Sequence, residues 1–171
     1  RNLELTRTLR EDKVHGSLLN VLDLTVTAMG GRLLRQWLEQ PLCRVALIDQ
    51  RLEAVAELVA KDARRAEVRK WLRQVPDMER LLGKIVYGTA TPKDLASLRS
   101  GCSILPDIAA IVSQLPATQQ MCTPLDPLTD LTAQLNTTLV DDPPVSAREG
   151  GLIRLGCNAE IDRLKQLTQG G

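Results

Sequence analysis

The chain has 171 residues, 43% of them hydrophobic, with a formal net charge of +1. That is enough to bury a core in one domain of ordinary size. No run reaches the roughly 20 apolar residues that span a bilayer, and the charged start RNLELTRTLRED has no apolar stretch of the kind a signal peptide needs. Four cysteines (Cys43, Cys102, Cys122, Cys157) stand far apart with a single histidine, His15. No structural zinc site is expected from that spacing, and free thiols in a reducing cytoplasm are the reading. The chain starts on Arg1 and finishes on Gly170 and Gly171, and is expected to be a piece of a longer one.

Taken in order, NLELTRTL alternates apolar and polar residues and allows a short N-terminal strand before Gly16. SLLNVLDLT predicts a short apolar turn or helix, with His15 in a loop or capping role. TAMGGRLLRQWLEQP places Met29, Leu33, Leu34, Trp37 and Leu38 along one helical face and stops at Pro41. In VALIDQRLEAVAELVA the residues Ile48, Leu52, Val55, Ala56 and Val59 recur at spacings of three and four, a predicted core face. ARRAEVRKWLRQV is expected to bury Val68, Leu72 and Val75 and to point its arginines away.

PDMERLLGKIVYG opens near Pro76 and closes at Gly88, as a helix should. TPKDLASLRSGCSIL begins with Thr91 and Asp94, a relative of the capping box. Pro106 should interrupt that helix, so that DIAAIVSQL continues as a separate or kinked segment. PLDPLTDLTAQLNTTL predicts one more helix from about Pro127. The sum is an all-α array of six or seven helices, with strand signals confined to the N-terminus and GLIRLG.

Charge is uneven along the chain. Residues 101–147 carry five acidic side chains and no Lys or Arg, whereas KDARRAEVRKWLR, Lys61 to Arg73, carries six positive and two negative ones. Arg64, Arg65, Arg69 and Lys70 in that run could meet a phosphate backbone through counterion release; the alternative is a solvated helix face partly offset by Asp62 and Glu67. With Trp37, Trp71 and Tyr87 as the only aromatics, a base-stacking platform is not expected. AMGGRLLRQ lacks the Gly-Lys-Ser/Thr ending of a phosphate loop. Asp141 and Asp142, followed by Pro143 and Pro144, should point apart on an extended segment rather than share a metal. No Ser, Cys or Lys has the base and orienting group that nucleophilic catalysis needs, so no enzymatic centre is expected in these residues.

Six stretches, in this order and spacing, resemble the central core domain of the MutS family of DNA mismatch-repair proteins: RNLELTRTLR, SLLNVLDLTVTAMGGRLLRQWLEQPL, IDQRLEAVAEL, LRQVPDMERLLGKI, TATPKDLASL and DDPPVSAREGGLIRLGCNAEIDRLKQL. The resemblance runs over essentially the whole chain. It departs at Cys157, where the family usually has Tyr.

The resemblance implies an all-α core at residues 1–148 and, at 149–171, a junction leading into a helix that runs toward a DNA clamp. It implies a longer protein that binds ATP and Mg elsewhere, with neither held by these residues. That protein would work in the bacterial cytoplasm, near the nucleoid, as a homodimer on duplex DNA, with the other domains of its own chain and MutL as partners and no membrane. The places expected to couple domains are Arg1, Asn2 and Glu4 where the chain enters, and Gly150, Gly151, Arg154 and Asn158 at the junction. Asn158 is also a candidate N-cap for a helix carrying Ile161, Leu164 and Leu167. A reading from a different class is a stand-alone α-helical adaptor that binds a partner helix in an apolar groove.

Overall fold

A computed structural model describes residues 4–122 and 125–169, with the side chains of 168 and 169 outside that description. Arg1 and Asn2 lie outside the described residues. The chain is all-α, with nine α-helices and no named strand among the described residues: α1 Leu18–Leu22, α2 Ala28–Glu39, α3 Val45–Ala60, α4 Asp62–Leu72, α5 Met78–Val86, α6 Pro92–Val112, α7 Pro116–Met121, α8 Thr129–Thr138 and α9 Ala159–Gln169. A short 3-10 turn, Ala147–Glu149, precedes α9.

Packing is divided between two compact units rather than gathered into the single core that the length suggests. One comprises Arg1–Asp77 with Asp107–Asp126, the other Met78–Pro106 with Pro127–Gly171.

In the first unit α3 packs on α7 and α4, and α1 on α2. Among its described residues the N-terminal segment forms no strand. Instead Glu4 and Asp12 take the left-handed region (φ 46° and 50°), and Arg7 closes the loop by donating to the Asp12 carbonyl and carboxylate at 2.8 and 2.9 Å. The carbonyls of Glu4 and Leu5 then accept from the first free N–H groups of α1, those of Leu18 and Leu19, at 3.1 and 2.8 Å. Alternation alone could not form a strand here because these carbonyls are committed to a helix end.

The face of α3 that packs is not the one the sequence predicts. Ala54 is buried and Arg51, Glu57 and Leu58 are half-buried, whereas Leu52, Val55, Ala56 and Val59 are exposed. The face that packs carries two charged side chains, Arg51 and Glu57, whose partners lie on other helices, so apolar spacing could not single it out. Arg51 lies 3.7 Å above the Trp37 ring centroid, a cation–π contact that ties α3 to α2. Glu57 accepts from both the N–H and the hydroxyl of Thr118 at 3.0 Å, capping α7 from 61 residues away. α7 itself was not foreseen, although Pro116 at its first turn was a signal for it. Of the residues that spacing places along one face of α2, Met29, Leu34, Trp37 and Leu38 are half-buried and Leu33 is exposed.

In the second unit Leu81, Leu98 and Cys102 form the core, with Met78, Leu128, Leu131 and Leu135 packed against it. The capping box is present: Asp94 N–H donates to the Thr91 hydroxyl at 3.2 Å and the Asp94 carboxylate accepts from Thr91 N–H at 2.9 Å. α6 does not break at Pro106, which stands inside the helix. A proline removes one intrahelical donor, and the division between the units falls at this residue. Among the described residues α6 alone is long and apolar enough to cross a membrane by length and composition. Its apolar side chains Leu98, Cys102, Ile108, Ile111 and Val112 are buried as core.

Candidate functional site

The junction is assembled on the end of α8. Val140 N–H donates to the Leu152 carbonyl at 3.2 Å and Arg154 N–H to the Thr138 carbonyl at 2.8 Å, so Leu139 and Ile153 form an antiparallel bridge. This is the structural content of the GLIRLG strand signal. Three cations hold the Leu139–Asp142 segment. Arg99 donates to the carbonyls of Val140 (3.0 Å) and Asp141 (2.9 Å). Arg154 donates to the Leu139 carbonyl (3.2 Å) and to the Asp141 carboxylate (2.7 Å). Lys93 pairs with Asp142, whose carboxyl it holds below the usual carboxylate range. Asp141 and Asp142 therefore do point apart, each to its own cation.

Charge-assisted hydrogen bonds of this kind are about twice as strong as neutral ones. The Arg154 side chain is 41% exposed, so solvent screening keeps its ion pair within about 0–1 kcal/mol, and the carbonyl contact has to carry the rest.

The chain then turns through Ser146, whose hydroxyl and amide complete a capping box with Glu149. Gly150 follows at φ 74°, ψ −173° and Gly151 at φ 73°, a backbone region closed to other residues without strain. Nothing lies within 4 Å of a Cβ built on either, so backbone angle and not crowding calls for glycine. Asn158 caps α9, its side-chain oxygen accepting from Glu160 N–H at 3.0 Å and Ile161 N–H at 3.2 Å. Lys165, one turn further on, donates to the Ile153 carbonyl at 2.6 Å, which covers the outer edge of the bridge. Ile161 is half-buried, while Leu164 and Leu167 are exposed.

The sequence-derived candidates thus separate. Gly150, Gly151, Arg154 and Asn158 belong to this one assembly. Glu4 lies in the other unit, where its carboxylate accepts from Leu9 N–H at 2.7 Å. Arg99, Lys93 and Lys165 were missed, because no local spacing links residue 99 to residue 140. The basic run on α4 is partly committed to structure: Arg65 donates to the Leu58 carbonyl at 3.0 Å and Arg69 to the Leu24 carbonyl at 2.9 Å, while Arg64 pairs with Glu67 at 2.8 Å. The expectation that its arginines all point away is corrected by these contacts. Lys70 is exposed.

The residues at the start of α2 do not fit a nucleotide phosphate. Thr27 already caps Gly30 N–H at 3.0 Å, and the Asp23 carboxylate sits beside Gly31, 3.5 Å from where its Cβ would stand. Thr25 holds that carboxyl below its usual range by side-chain and backbone hydrogen bonds, and its negative charge opposes a phosphate at this helix end.

Residues 1–170 match the family model described as MutS domain III. The chain belongs to the MutS domain III family. It is 46% identical to the DNA mismatch repair protein MutS of Halothermothrix orenii over 99% of this chain and 19% of that protein. It is 45% identical to the protein of the same name from Acetivibrio thermocellus over 100% of this chain and 20% of that protein. For the one from Pelotomaculum thermopropionicum the figures are 44%, 100% and 20%. This domain III sequence therefore spans about a fifth of the length of these relatives. The strapped junction of this chain lies within the residues that match domain III, which is not the ATPase domain of a MutS protein.

Proposed function

We propose that this domain III is a helical relay inside a longer mismatch-repair protein, passing nucleotide-dependent movement from an ATPase to a DNA clamp and mispair detection back. In that reading residues 1–148 are the helical core and 149–171 the junction toward the clamp, and these residues do no chemistry of their own. The whole protein would act in the cytoplasm as a homodimer on duplex DNA, with ATP and Mg bound outside this domain and MutL as a further partner.

The observation that supports it is the junction itself. Coupling needs an element with two discrete arrangements that both sites bias. In this reading that element is the single two-residue bridge, strapped by Arg99 and Arg154 and entered through two positive-φ glycines. The test is mispair-stimulated nucleotide exchange in the full-length protein carrying Arg154→Ala. A loss of stimulation at unchanged basal hydrolysis is expected, measured at a temperature where the variant is still fully folded; unaltered stimulation would remove the case for the junction.

The adaptor reading draws on the exposed Leu164 and Leu167 of α9. It is separated by the reading frame: a sequence that continues beyond Gly171 into further helices and a phosphate loop leaves no room for a free adaptor.

A further inference from the structure

Three contacts fix the direction in which α3 and α7 pass each other. Lys61, just after α3, donates to the Gln114 carbonyl, just before α7, at 3.2 Å. Glu57 accepts from Thr118 in the first turn of α7 at 3.0 Å, and Gln50 donates from Nε2 to the Gln120 carbonyl in its last turn at 3.5 Å. Residue numbers fall on one side as they rise on the other, so the helices run antiparallel and the start of α3 meets the end of α7. Leu42 and Leu47 from the first and Gln120 and Met121 from the second line one cavity of about 240 Å³. Cys43 follows Leu42 and Cys122 follows Met121, each about 3.8 Å along the chain from a wall residue. Leu42 and Met121 are half-buried, whereas Cys43 and Cys122 are exposed, so both cysteines stand at the rim. The Cys43 Sγ lies 4.0 Å from the Pro41 carbonyl, a contact too weak to fix it, since a thiol is a poor donor. Cys102 and Cys157 belong to the other unit, and Cys102 is 0% exposed.

We infer that Cys43 and Cys122 are a redox-sensitive dithiol, which peroxide converts to a disulfide that staples the start of α3 to the end of α7. Both residues lie just outside helices, so closing to the Cα separation of about 4.4–6.8 Å that a disulfide needs asks for movement of loop rather than helix. Partial desolvation pushes the Cys122 thiol up, which lowers its share of reactive thiolate and assigns the first oxidation to Cys43. There the sulfur attacks hydrogen peroxide: an S–O bond forms, the O–O bond breaks, water leaves and Cys43 becomes a sulfenic acid. The Cys122 sulfur then gives up its proton and attacks the sulfenic sulfur; the S–S bond forms, the S–O bond breaks and a second water leaves. Two thiols have been oxidised by two electrons and one peroxide reduced to two waters. A thiol reductant reverses the bond by exchange. The inference does not depend on coupling through the junction, so either can fail while the other stands.

The test uses the full-length protein, reduced, freed of reductant and then treated with hydrogen peroxide. Remaining thiols are blocked with N-ethylmaleimide, and the non-reduced digest is read by mass spectrometry. Maleimide labelling of Cys43 and Cys122 is expected to fall together as a Cys43–Cys122 peptide pair appears, two hydrogens lighter than its parts, and dithiothreitol should restore both labels. In Cys122→Ser the chemistry should stop after its first step, so that dimedone traps a sulfenic acid on Cys43. In Cys43→Ser the maleimide label on Cys122 should survive peroxide. Full labelling of both cysteines after peroxide, loss of one label without the other, bonding of either to a different cysteine, or no dimedone adduct in Cys122→Ser would each overturn the proposal. So would a peptide pair of mixed composition from a mixture of isotopically light and heavy protein, which places the bond between two copies.

Discussion

Lys84 donates from Nζ to both carboxylate oxygens of Asp94, at 2.8 and 2.9 Å, across ten residues that separate α5 from the first turn of α6. The same carboxylate accepts the N–H and hydroxyl of Thr91, and Asp94 is 8% exposed. Lys84 first, and Thr91 after it, hold the Asp94 carboxyl far below the usual carboxylate range. A carboxyl that is more acidic folded than unfolded stabilises the fold fully above its unfolded pKa of about 3.9 and loses that contribution as the pH falls through it toward the folded value. Melting temperature should therefore drop more steeply below about pH 4 in the wild type than in Asp94→Asn. Thermal melts followed by circular dichroism from neutral to acid pH check this, and parallel curves would contradict it.

Two glycines should respond to alanine with opposite signs. Gly150→Ala places a side chain at φ 74°, ψ −173° and should cost about 1–3 kcal/mol from backbone strain. Gly83 sits inside α5, with nothing within 4 Å of a Cβ, so Gly83→Ala should stabilise by about 0.4–1 kcal/mol. Urea denaturation of the two variants gives both numbers. A neutral Gly150→Ala would mean that the junction relaxes away from this geometry.

The all-α character and most helix positions were legible because apolar spacing, a Thr–Asp capping box at residues 91–94, an Asn cap at 158 and a glycine after α5 all act within a few residues of each other. What could not be read depends on partners far away in sequence. The choice of face on α3 was made by α7, whose own start is capped by Glu57. Pro106 was tolerated inside α6 rather than ending it. At the junction Gly150, Gly151, Arg154 and Asn158 were visible as a motif, but the cations that clamp it, Arg99 and Lys93, lie more than 40 residues from their partners Val140 and Asp142.

Leucines of the two kinds should part sharply under truncation. Leu81 is 1% exposed at the centre of its core, and Leu81→Ala should cost about 2–5 kcal/mol through lost transfer energy and the cavity left behind. Leu52 is open in this chain, so Leu52→Ala in the 171-residue protein should stay within about 0.5 kcal/mol of wild type. Chemical denaturation resolves a gap of that size; a comparable cost at the two sites would mean that α3 turns its other face inward.

Arg69 and Lys70 are adjacent in the basic run yet do different work. The Arg69 guanidinium reaches the Leu24 carbonyl at 2.9 Å, beside the Asp23–Thr25 turn that leads into α2. Removing it should cost about 0.5–1 kcal/mol of stability through the lost hydrogen bond, since water can solvate the exposed Leu24 carbonyl in its place. Lys70 is exposed, and Lys70→Ala should change stability by less than about 0.5 kcal/mol. Homoduplex titrations at two salt concentrations complete the comparison. If the run serves structure, binding by the 171-residue chain is weak and Lys70→Ala leaves it weak. If instead it follows a phosphate backbone, each lost cation lowers the slope of log affinity against log salt by about one unit, and Lys70→Ala would show that change with the fold untouched.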